Sequence, residues 1–236
     1  MALIKKTIIM LALIAIPILG IAQPQSCKVT YGGKQPTIKD FARAYCSQFD
    51  NDSFERQALA AFMRGNSKST LSSSANERIA GGCTDCIVDT RNGYMKYIAH
   101  TGGNIIALEI CYWNCNNKNE KLVAINTIDS SMGFDDSSLT FYRYNAKNKK
   151  MRHIDAPFYR TPHPIDLIDQ SKADQKTIEM VLNSHNEDAC KFQPAYILPR
   201  SGKDIICRMA DPNAVPREFQ RECKLSWDGD GFGLPD

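Results

Sequence analysis

What the chain has little of narrows its function more than what it holds. After residue 22 there is no apolar run of the roughly 20 residues that a membrane-crossing helix needs. There is no basic stripe with interleaved aromatics to track a phosphate backbone, so nucleic acid is not an expected partner. There is no Gly-x-Ser-x-Gly elbow to present a nucleophile, and only four histidines are available as bases. No repeat of fixed period is visible. Cys27 lacks the Leu-small-small lead of a lipoprotein site, so lipid attachment is not expected.

The first residues speak to compartment. Lys5 and Lys6 form a short positive region, Thr7 to Leu19 an apolar region broken by Pro17, and Gly20-Ile21-Ala22 a small-residue cleavage site. This predicts a cleaved signal peptide over 1–22 and a periplasmic or extracellular protein of a bacterial envelope. Cleavage leaves 214 residues with a formal charge of about +1, enough for one composite domain made of a helical part, 23–80, and a β-rich part, 81–236.

Nine cysteines remain: Cys27, Cys46, Cys83, Cys86, Cys111, Cys115, Cys190, Cys207 and Cys223. In an exported chain all of them are disulfide candidates, because oxidising compartments favour the bridge. The odd count leaves one free or intermolecular, and spacing does not give the pairing. Two alternatives use the same residues. Cys83-x-x-Cys86 with Cys111-x-x-x-Cys115 offers four thiolates to a zinc ion, although a regular strand would hold Cys111 and Cys115 about 13 Å apart. Cys83-Thr84-Asp85-Cys86 offers a redox pair, although a strand-like run follows it where a helix is needed to lower the thiol pKa.

The chain is organised around 86–155, which reads as an antiparallel meander. Ile87-Val88, Tyr94 to Ile98, Ile105 to Trp113, Leu122 to Ile128 and Leu139 to Tyr144 are strand-sized, apolar and β-branched or aromatic, and Gly- and Asn-rich turns separate them. Before it, Thr37 and Asp40 form a capping pair for a helix whose apolar face runs from Ile38 to Phe49, and Asp50-Asn51-Asp52 caps a second helix ending at Arg64-Gly65. The expected fold is α+β, an antiparallel β-meander closed as a sandwich or curved sheet, with an N-terminal helical hairpin packed on it. Further on, a helix is favoured within 166–183. Strands are expected at Ala195 to Leu198, Asp204 to Met209 and Cys223 to Trp227.

Alternation within Ile105 to Cys115 sets Ile106, Leu108, Ile110 and Tyr112 on the core side and Glu109, Cys111, Trp113 and Cys115 on the other. If that second face is open, Glu109 and Trp113 are the candidate ligand-binding residues; if it is covered, Trp113 is structural. Tyr94, Tyr97, Tyr112, Phe141, Tyr142 and Tyr144 crowd the same strands and suit either a contact surface or second-layer packing. His153, two residues from Asp155, reads as an exposed edge-strand residue. The tail Asp228-Gly229-Asp230-Gly231-Phe232-Gly233-Leu234-Pro235-Asp236 resembles one calcium-binding repeat of the thrombospondin type 3 sort, which implies aspartate ligands for calcium; a Gly-rich turn after a strand is the alternative.

Two functions follow. The first is a non-enzymatic, disulfide-stabilised binding protein for a protein or glycan ligand at the cell envelope, inhibitor or immunity-like proteins included, with no cofactor or metal and no catalytic residue. The second is a thiol-dependent enzyme, either a Cys-x-x-Cys oxidoreductase or a cysteine hydrolase.

Overall fold

A computed structural model of the protein describes residues 23–66, 84–101, 104–130, 133–183 and 189–234. The leader expected over 1–22, Cys83 and most of the linker before it lie outside the described residues.

The chain is mainly β. Strands β2 (Thr84–Asp89), β3 (Tyr94–Thr101), β4 (Asn104–Asn114), β5 (Glu120–Asp129), β6 (Asp136–Asn145) and β7 (Lys150–Ile154) pair with their neighbours in chain order, forming the meander. A short strand from the beginning of the chain, β1 (Ser26–Lys28), adds beside β7 and makes the sheet seven-stranded, with Cys27 opposite Met151. His153 therefore does not sit on an edge. Its backbone N–H donates to Gln25 O at 3.0 Å, and its ring lies edge-on to Tyr142.

Period-two alternation gives this sheet two apolar faces. On the first, Leu108, Ile110, Val123, Ile125, Tyr142 and Tyr144 belong to one buried core. Helices α1 (Ile38–Cys46) and α2 (Phe54–Arg64) contribute Ile38, Phe41, Tyr45, Ala58 and Phe62 to the same core. Phe41 meets Tyr112 and Tyr144 edge-on, Tyr45 meets Tyr142, and Phe54 and Phe62 both meet Tyr97. Asp40 accepts the Thr37 backbone N–H at 2.8 Å, as the capping pair predicts. The second helix is capped by Ser53, whose hydroxyl accepts from Arg56 N, and not by the preceding Asp-Asn-Asp.

A second sheet covers the other face. Its strands β8 (Pro194–Ile197), β9 (Ile205–Met209), β10 (Cys223–Trp227) and β11 (Phe232–Gly233) run in spatial order β11-β10-β9-β8. Tyr94, Trp113, Leu122 and Phe141 of the large sheet share a core with Ile205, Leu225, Trp227 and Phe232 of the small one. Helix α3 (Gln175–Leu182), capped by Asp174 at 2.7 Å from Thr177 N, and the single turn α4 (Ala189–Phe192) precede β8.

The expected disulfide staples are not closed among the described residues; Cys27, Cys46, Cys86, Cys111, Cys115, Cys207 and Cys223 are buried thiols. Strand register accounts for much of this. Cys86 lies opposite Tyr97 and belongs to the helix-side core, while Cys111 and Cys115 belong to the core between the sheets. The zinc reading would need ligands from both sides of one sheet. Cys46 and Cys111 serve here as small apolar side chains, and burial raises their thiol pKa values.

Candidate functional site

Glu109 and Trp113 are both inside. Glu109 is 1% exposed and Trp113 is 4% exposed, because the small sheet lies over them. Glu109 accepts from the Tyr94 hydroxyl at 3.0 Å, from Asn126 Nδ2 at 3.3 Å and from Leu198 N at 3.3 Å, and pairs with Lys96 Nζ at 2.9 Å. Register explains the gathering: Lys96, Glu109 and Asn126 face one another directly across β3, β4 and β5. Trp113 donates its indole N–H to Lys203 O at 2.8 Å.

This polar row has a structural task. Strand β8 pairs with β9 along one edge only. Along its other edge, Asn126 Nδ2 donates to Tyr196 O at 2.8 Å, Tyr196 N donates to the Ser137 hydroxyl at 3.2 Å, and Leu198 N donates to Glu109. Side chains of the large sheet thus stand in for a missing neighbour strand, and buried backbone groups stay satisfied. The aromatic set is also interior: Tyr94, Tyr97, Phe141, Tyr142 and Tyr144 are buried, and Tyr112 is half-buried.

Of the tail, Asp228 to Gly231 form the turn between β10 and β11, and Pro235 and Asp236 lie outside the described residues. Asp228 Oδ1 accepts the backbone N–H groups of Asp230 and Gly231, and Asp228 Oδ2 accepts the Tyr159 hydroxyl at 2.5 Å. The Tyr159 hydrogen bond, with the two backbone donors, holds the Asp228 carboxyl down at about 2. Among the described residues no three or more His, Cys, Asp or Glu side chains gather as around an ion. His163 caps a 3-10 turn, Pro164–Leu167, and its Nδ1 accepts from Ile165 N.

One opening is marked by no local sequence signal. A cleft of about 940 Å³ lies between the loop ahead of β6 and the chain that leaves β9 and returns as β10. Its walls carry Asp135, Arg208, Arg217, Arg221 and Glu222, and apolar surface comes from Met209 and Val215. Arg208 Nη2 and Asp135 Oδ2 are 2.6 Å apart, and Ser130 Oγ donates to the other oxygen of the same carboxylate at 2.6 Å. Arg221 Nε donates to Asp166 O at 2.8 Å. Gln220 folds the loop on itself, donating from its amide to Pro212 O and Val215 O. Arg217 and Arg221 are exposed at the rim. A smaller recess of about 210 Å³ adjoins the cleft and shares Asp135 and Ala210 with it. The arrangement suits reversible binding of a mixed polar and apolar ligand, with guanidinium groups for carboxylate or hydroxyl partners.

Compared with known protein families, with curated proteins and with solved structures, the chain matches none.

Proposed function

We propose that the protein is an exported, non-enzymatic binding protein, and that its protein or glycan ligand sits in the cleft formed by the β9–β10 loop and the loop before β6. The observation that carries this reading is the contrast between the interior and the cleft. The aromatic residues of the meander are packed on both faces, whereas the cleft brings Arg217 and Arg221 beside Met209 and Val215 in an opening large enough for several residues or sugar rings. The leader-like N-terminus supports a role outside the cytoplasm.

The test is a binding screen of the mature chain against envelope glycans and secreted hydrolases, repeated with Arg217→Ala/Arg221→Ala. The expected result is a ligand whose Kd weakens about tenfold, about 1.4 kcal/mol, in the double variant while the circular dichroism spectrum is unchanged. Undiminished affinity in the double variant would remove the cleft from the account. Turnover of any of these glycans by the chain itself would replace the binder with an enzyme.

A further inference from the structure

The loop that walls the cleft begins and ends at a cysteine. Cys207 on β9 and Cys223 on β10 are directly opposed in antiparallel register. Opposed residues in such a pair hold their Cα atoms about 4.5 to 5.5 Å apart, inside the range of about 4.4 to 6.8 Å that a disulfide spans. Both side chains belong to the core between the sheets. Among the described residues no other two cysteines are set opposite each other by strand pairing: Cys27 faces Met151, Cys86 faces Tyr97, and Cys111 faces Tyr94 and Ala124. Everything between the two, from Arg208 to Glu222, is the segment that contributes most of the cleft wall.

We propose that Cys207 and Cys223 are a dithiol modification site that closes by exchange with an external disulfide, clasping the neck of the cleft loop. The proposal does not depend on what the cleft binds. Cys223 is the attacking sulfur. It is slightly exposed where Cys207 is fully buried, and the nearby Arg221 and Arg160 favour its thiolate against the opposing effect of burial. The Cys223 thiolate attacks one sulfur of the external disulfide, forms a mixed disulfide and expels the first thiolate. Cys207 then gives up its proton, and its sulfur attacks Cys223 Sγ and displaces the second thiol. The two electrons lost by the protein pair reside in the two thiols released.

Closure has a local consequence. A bridge across the neck removes conformations of the intervening loop from the unfolded ensemble, and fixes the separation of the two strands from which the loop springs.

The experiment uses the full mature chain and oxidised glutathione as the probe. After incubation, alkylation and trypsin digestion without reductant, the expected product is segment 204–208 linked to segment 222–224. The oxidised chain should melt about 5 °C or more above the reduced one. In Cys207→Ala, Cys223 should retain a glutathione adduct; in Cys223→Ala, Cys207 should acquire none. Recovery of both segments singly alkylated from the folded wild type overturns the site, and so does a link from either cysteine to a third one as the main product. An adduct on Cys207 in Cys223→Ala overturns the order of attack. The wild-type map decides the main claim even if neither variant folds.

Discussion

Glu109 shows how a single residue can look like a site and serve the scaffold. It is a carboxylate almost without solvent contact, and every direction it faces holds a donor: Tyr94, Lys96, Asn126 and the backbone of Leu198. Glu109→Ala would strand Lys96 and the β8 backbone without an acceptor and is expected to destabilise the fold by about 3–5 kcal/mol in urea denaturation. Glu109→Gln keeps an acceptor oxygen and should lose clearly less. Alternation within β4 was enough to place Glu109 and Trp113 opposite the helix-side core. What covers them comes from residues about 90 positions further along, and no local pattern carries that information. Asp228 yields a prediction in pH. Its folded pKa of about 2 lies below the ordinary carboxylate value, so the ionised form favours the fold. That contribution is complete above about pH 4 and is lost as pH falls through about 2. Carboxyl titration by NMR should find the low value in the wild type and a rise toward the ordinary one in Tyr159→Phe.

At the scale of elements, turn chemistry wrote the meander into the sequence. The β2–β3 turn ends at Gly93, which takes a φ of +69°, and a Cβ placed there would lie 2.7 Å from the Tyr112 ring. Gly93→Ala should therefore destabilise by about 1–3 kcal/mol through both the left-handed backbone and the clash. Chemical denaturation measures it, and a neutral result would show that the turn repacks. Helix α1 was legible for a similar local reason, since Asp40 sits three residues from the group it bonds; for α3 the sequence offered Ser171 as the cap and a strand over 177–182 as an alternative, whereas Asp174 itself caps the helix. The start of α2 was misread by a residue because three polar candidates precede Ser53. The partner of β1 was not legible at all. A three-residue strand carries no register of its own, and its match to Met151 is set by where the sheet ends. The cleft carries no local signal for the same reason: Arg208 lies on β9 and Arg217 and Arg221 on the segment that follows it, and they become neighbours only when β9 and β10 pair.

The molecule as a whole is held together at the seam between its two sheets. Phe232, near the end of the chain, is fully buried and meets Trp113, Phe141, Phe158 and Trp227 with ring centroids 4.9 to 6.0 Å apart. Phe232→Ala is expected to cost about 3–5 kcal/mol. Because both tryptophans border the void, their emission should shift to the red in the folded variant, and a loss under 1 kcal/mol with unchanged emission would mean that the seam is held elsewhere. Long-range closure also governs the opposite margin of the large sheet, where the earliest described strand flanks β7. On a ribosome, Cys27 has no Met151 to lie against until β7 has been synthesised, so this margin stays unpaired until then. A border strand that must wait for a partner so much later in the chain leaves its neighbour's open edge available to other pairings in the meantime.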